Sequence, residues 1–226
     1  MIKNLLNLFF PKVCFGCSLS LSDNEDYLCT KCRHNLPVTN FHFNNDDTVD
    51  KIFYGRAKIE KATALLLFEK KGIVQQILHN LKYRGHEDIA LFLGKWLGHE
   101  LSTVQAYGNI DVVIPVPLHK KKQRKRGYNQ VSKFGIQIAN ALNAKYIDNV
   151  LIKTTNTKTQ VFKKRMARWN SDNEVFTIEN SSLIDGKNIL LVDDIITSGA
   201  TIESCVNVLS KAKNVKISVA SMAIAS

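Results

Sequence analysis

The sequence contains no apolar stretch of the roughly 20 residues that a membrane-spanning helix requires, and it has no internal repeat. Insertion through a helix is therefore not expected, nor is a solenoid. The opening residues, MIKNLLNLFFPKVCFGC, hold a short apolar run but no small-residue cleavage site, and the run leads directly into Cys14 and Cys17. We expect a short amphipathic helix in a cytoplasmic protein rather than an export signal. Missing too are a Ser/His or Cys/His pairing that would mark an activated nucleophile and the G-x-x-x-x-G-K-S/T run of a P-loop. A covalent side-chain intermediate and a Walker-type nucleotide site lose their usual sequence support.

What is present starts with size and charge. A chain of 226 residues with 45% apolar content can bury a core for one main domain and leave a small appendage. Its formal charge of +11 should attract anions, whether phosphorylated metabolites, nucleic acid or acidic lipid.

Four of the five cysteines, Cys14, Cys17, Cys29 and Cys32, form two C-x2-C pairs separated by eleven residues. A two-residue gap lets both thiolates of a pair reach one tetrahedral ion, and two pairs complete a closed zinc shell with no position left for substrate. Such a zinc ion would serve folding or docking. Two disulfides or a redox pair are the alternative, but they imply an oxidising compartment that nothing else in the sequence suggests. Cys205 stands alone on an expected helix and reads as a core residue. After Pro37 the polar stretch TNFHFNNDDTVD reads as a linker. This divides the chain into a cysteine module with its linker, residues 1–45, and a main domain, residues 46–226.

From there apolar strands alternate with amphipathic helices. KATALLLFEK, IDVVIPV, KYIDNVLIK, KNILLV and VKISVASMAI read as strands. Ile73 to Leu81, Ile89 to Leu101, YNQVSKFGIQIANALN and ATIESCVNVLSKAK repeat their apolar residues at helical spacing. The expected fold is α/β, a mostly parallel sheet covered by helices on both faces, plus the small zinc-ribbon-like module.

In such sheets ligands bind beyond the carboxyl ends of the strands. At one such end the sequence places Asp193 and Asp194, followed by Thr197, Ser198, Gly199, Ala200 and Thr201 at the start of a helix. Glycine allows close backbone approach, the first helical amides and dipole favour an anion, and the hydroxyls add donors, so a phosphate fits there. The carboxylates accept only, which suits sugar hydroxyls or a metal-bound sugar. Together they describe a site for ribose 5-phosphate. A receiver domain would need far more chain after the acids, and a Walker B strand would need the absent P-loop. Simple helix capping by Thr197 or Ser198 leaves the acid pair unexplained.

ILLVDDIITSGAT resembles the 5-phosphoribosyl 1-diphosphate (PRPP) signature of type I phosphoribosyltransferases. IPVPLHKKKQRKRGYNQ, TTNTKTQVFKKRMARWNSDNEVF, LKYRG and the four cysteines narrow the likeness to the ComF-like, competence-associated branch, over essentially the whole chain. The resemblance implies a pyrophosphate-binding loop after IPVP, with His119, Arg124, Arg126 and Gly127, and a mobile loop carrying Gln160, Lys164, Arg165 and Arg168. It also implies a hood formed by residues 50–105. The residues agree with the first two assignments: Lys120, Lys121, Lys122, Arg124, Lys125 and Arg126 crowd one segment, and the arginine fork suits bidentate phosphate contacts. The implied reaction displaces pyrophosphate from PRPP with Mg²⁺, through an oxocarbenium-like state that needs no covalent nucleophile. A homodimer is common for such enzymes. The competence link and the basic segments support a second reading, an accessory factor of DNA uptake that binds single-stranded DNA or DNA-uptake proteins. A third is a PRPP sensor without transferase activity.

Overall fold

The computed structural model describes residues 12–154 and 175–225. The apolar runs form β1 (Ala62–Phe68), β2 (Val112–Pro115), β3 (Lys145–Tyr146), β4 (Leu151–Lys153), β5 (Phe176–Ile178), β6 (Asn188–Ile196) and β7 (Lys216–Ala225). Five of them make one parallel sheet in the order β1-β7-β6-β2-β3, and β4 pairs with β5 in a separate antiparallel ribbon. The central strands β6 and β7 are buried on both faces. Their near-continuous apolar runs follow from that, because each face must meet a covering layer.

One face is covered by α4 (Ile73–Tyr83), α5 (Asp88–Ser102) and α7 (Ser132–Ala141), whose apolar residues form a core with Leu190, Val192 and Met222 of the sheet. Cys14, Leu28, Cys32 and Leu36 belong to this same core. The cysteine segment, which contains α1 (Thr30–His34), is therefore packed onto the main domain and does not hang from it. The other face is covered by α8 (Ala200–Leu209) together with Val49 and Phe53. Among the described residues no helix is long and apolar enough to cross a membrane.

Several expectations need correction. The supposed linker folds as α2 (Phe41–Asn44) and α3 (Thr48–Lys51), and Val38 bridges to Leu66 of β1. Val49 and Phe53 are fully buried, each contributing roughly 1.5–3 kcal/mol by burial, which is too much for a free connector. Polar composition hid two well-spaced apolar anchors. The expected strand over residues 145–153 is split between β3 and β4, which join different sheets. The basic segment after β2 is a helix, α6 (Lys120–Arg126), since lysine, arginine and glutamine are good helix formers. Residues 62–102, within the stretch expected to form a hood over the site, form an edge strand and a covering layer of the main sheet. The expected N-terminal helix falls on residues 1–11, outside the described residues.

Candidate active site

The chain leaves β2 toward β3 at one edge of the sheet and leaves β6 toward β7 on the other side. Because β2 and β6 are adjacent and parallel, their carboxyl ends form the switch point where a crevice opens between diverging loops. Into this crevice the β6 loop delivers residues 197–201, and the segment after β2 delivers α6.

The acids do not sit past the end of β6. The strand continues through them to Ile196, and Asp193 and Asp194 are only 8% and 5% exposed. With strand periodicity of two, neighbours point to opposite faces. Asp194 faces the α4 and α7 side, where Lys82 Nζ donates to its Oδ1 at 2.8 Å and Gln130 Nε2 donates to its Oδ2. Asp193 faces the α8 side. Burial first, and the charge of Asp194 second, lift its carboxyl to about 8, although the Asp194 amide, Lys82 and Lys153 pull the other way. Asp193 is therefore largely protonated at neutral pH, while Asp194 has an ammonium partner. Burial also pushes the Cys205 thiol upward, with Asp193 adding to it. Cys205 is a fully buried core residue, as expected.

Residues 197–201 link β6 to α8. Gly199 is the N-cap of α8 at φ 74° and has no side chain with which to cap the helix. Thr197, Ser198, Ala200 and Thr201 are exposed. A Cβ on Gly199 would lie 2.6 Å from Ile52 and 3.0 Å from Phe53, so the glycine is required by close packing as well as by its backbone angle.

On α6, Lys120, Lys121, Lys122, Arg124 and Lys125 are exposed. His119 caps this helix, its Nδ1 accepting from the Lys121 amide at 3.2 Å. Gly127 closes the helix at φ 87° in the left-handed conformation common at such ends. Arg126 donates to Gln130 Oε1 and lies over the Tyr83 ring at 5.7 Å. A continuous chain of contacts thus joins Arg126, Gln130, Asp194 and Lys82. Gln160, Lys164, Arg165 and Arg168 lie outside the described residues.

Sequence reasoning did not single out Lys82, Lys153 or Arg56. Lys82 and Tyr83 belong to LKYRG, which was noted only as a family-like stretch. Lys153, beside Phe176 with its Nζ 4.8 Å from the ring centroid, has its ammonium pulled below the usual range by burial and then by Lys122, with Asp193 opposing. Arg56 lies in no motif at all.

Away from this crevice, all five cysteines are free thiols. The four Sγ atoms of Cys14, Cys17, Cys29 and Cys32 lie within 4.8 Å of one another, and Cys17 and Cys29 approach to 3.7 Å. Zn–S bonds of about 2.3 Å in a tetrahedron put sulfurs roughly 3.8 Å apart, so the cluster fits zinc. Burial opposes charge on Cys14, but amides of Cys29, Cys17 and Gly16 outweigh it and draw the thiol down to about 7. Thiolate is the form a metal needs.

The phosphoribosyl transferase domain family matches residues 120–225, from α6 through β7. Competence protein ComFC of Bacillus subtilis (strain 168) is 28% identical over 218 residues, 92% of this chain and 82% of that protein. DNA utilization protein YhgH of Escherichia coli O6:H1 is 25% identical over 136 residues, 59% of each chain, so the match spans less than two thirds of that relative. Glutamine phosphoribosylpyrophosphate amidotransferase from B. subtilis, solved with ADP and GMP, aligns with a TM-score of 0.42 at 21% identity, over 62% of this chain and 30% of its own. Residues 120–225 are thus similar to the phosphoribosyl transferase domain family, and the chain as a whole resembles ComF-like competence proteins, with a four-cysteine cluster packed beside the matched domain.

Proposed function

We propose that the protein binds PRPP with Mg²⁺ and transfers or hydrolyses the phosphoribosyl group, releasing pyrophosphate, in a process linked to DNA uptake. The observation that carries this reading is the pairing of two anion-seeking segments at one switch point. Residues 197–201 and the basic helix α6 follow adjacent parallel strands, as the two phosphate-bearing ends of one small molecule would require.

The roles follow from the chemistry of each group. Amides and hydroxyls of residues 197–201 hold the 5-phosphate. Arg124 and Arg126 hold the pyrophosphate and stabilise the charge that develops as it leaves. The ribose lies between, beside the acid pair, with its hydroxyls donating to carboxyl oxygen. Mg²⁺ would supply further neutralisation of the leaving group. The donor set suits a metal carried mainly on substrate oxygens, since the acids are buried and Asp194 is already paired with Lys82. Gln160, Lys164, Arg165 and Arg168 would close over the bound sugar and exclude water. The cysteine cluster, by this reading, holds structural Zn²⁺.

Calorimetric titration of PRPP with Mg²⁺ into the zinc-loaded chain tests the reading. Binding is expected in the wild type and lost in Asp193→Asn/Asp194→Asn. Thr197→Ala/Ser198→Ala provides a second, exposed pair of changes expected to weaken binding without touching the core. A folded wild type that does not bind PRPP would overturn the proposal. The second reading, single-stranded DNA binding, is favoured by the exposed lysines of α6. It predicts DNA affinity that falls steeply with salt and is indifferent to the loss of the acid pair.

A further inference from the structure

The loop at residues 197–201 is gripped from behind by a residue far away in sequence. Arg56 Nη1 donates to the Ser198 carbonyl at 2.7 Å and to the Ile52 carbonyl at 3.1 Å. Its Nε and Nη2 donate to one oxygen of Glu203, at 3.1 and 2.6 Å, in the first turn of α8. One guanidinium therefore ties together the loop, the helix it starts and the segment after α3.

The base of this brace is anchored independently. Val49 and Phe53 are fully buried, and Asp50 Oδ1 accepts from the Ala62 amide of β1 at 2.5 Å. Ile52 and Phe53 also press on Gly199. The brace can therefore hold the loop in place without being carried along by it.

We propose that Arg56 is a positioning residue for a phosphomonoester held at residues 197–201, an inference that rests on the phosphate role proposed above for that loop. Two physical effects make it so. In a trans peptide the carbonyl and the following amide point in opposite directions, so fixing the Ser198 carbonyl toward Arg56 turns the Gly199 N–H away from it, toward the open side of the loop. Preorganised donors of this kind spend no binding energy on reorientation. The second effect is electrostatic. Glu203 places a negative charge in the first turn of α8, where a bound phosphate would meet it, and the Arg56 fork neutralises that charge at contact distance.

The test uses the full, zinc-loaded chain and two probes, ribose 5-phosphate and inorganic pyrophosphate, titrated calorimetrically. Arg56→Gln is expected to weaken ribose 5-phosphate by about tenfold, the loss of roughly one charge-assisted contact, while pyrophosphate affinity stays within about twofold. Arg56→Lys, with the charge but no fork, should fall between the two. Adding Glu203→Gln to Arg56→Gln should recover part of the loss, because the uncompensated carboxylate is gone. Wild-type affinity for ribose 5-phosphate in Arg56→Gln would overturn the inference and leave the phosphate reading standing. An equal loss for both probes would also overturn it, by showing a global effect. Failure of the wild type to bind ribose 5-phosphate or PRPP would overturn the phosphate reading and this inference with it.

Discussion

The cysteine cluster and the strand-end crevice are each announced by a short motif, yet they are completed in different ways. Between Cys14 and Cys32 the chain supplies all four sulfurs and the amides of Gly16 and Cys29 that donate to Cys14. The acid pair instead takes Lys82 from α4, Gln130 from the segment before α7 and the influence of Lys153 from β4. A tetrahedral ion organises its own neighbourhood, whereas a pair of buried carboxylates needs the rest of the fold to hold their charge. The two regions touch through α4, among other contacts: Asn80 Nδ2 donates to the Phe15 carbonyl at 2.9 Å, and Asn80 lies in α4, which also carries Lys82.

That shared boundary gives the largest predicted effect. Chelation of zinc, or Cys32→Ser, should destabilise the chain by about 3–5 kcal/mol, on the order of a 10 °C drop in the unfolding midpoint. If Asn80 transmits the disturbance, PRPP affinity will also fall at temperatures where the chain is still folded. Unchanged affinity after chelation would show the two regions to be independent.

The next effect isolates the crevice. An acid whose folded pKa is raised stabilises the fold below its unfolded pKa and loses that contribution as pH rises through the folded value. For Asp193 the window runs from 3.8 to about 8. Relative to Asp193→Asn, which does not titrate, the wild type should become less stable across this range, by roughly 4–5 kcal/mol between pH 4 and 8. Urea unfolding of both proteins at pH 4, 6 and 8 measures it, and parallel pH profiles would show that Asp193 is not the buried, protonated acid described here. Lys82→Met should follow at about 2 kcal/mol at pH 7, because the buried Asp194 side chain then loses its cationic partner. Chelation and Lys82→Met should be partly non-additive if α4 couples the regions.

The same contrast explains what could be read from the sequence. Cys14, Cys17, Cys29 and Cys32 were legible because metal geometry constrains spacing along the chain. The parallel sheet was legible because buried strands such as ILLV have to be apolar on both faces. Residues 193–201 were legible because acids, glycine and hydroxyls fall on one strand and its loop. Lys82 and Arg56 were hidden because their partners lie more than a hundred residues away, and a lone lysine or arginine in a basic chain looks like any solvated charge. The stretch around Val49 and Phe53 was misread for a related reason: its polar neighbours outnumber the two side chains that dock it.

The smallest effect distinguishes local from borrowed order within the crevice itself. Residues 197–201 are held by contacts from the segment around Ile52, Phe53 and Arg56, while α6 holds itself through the His119 cap and the Gly127 terminus, with Arg126 as its link to Gln130. His119→Ala removes the cap from a short, exposed helix and should cost less than about 1 kcal/mol globally. Its local signature should be clear, however, as faster hydrogen exchange at Lys121 and Lys122 with no change at Gly199 or Ala200. If both segments loosen together when His119 is removed, α6 is not self-supporting, and residues 197–201 and the basic helix respond as one unit.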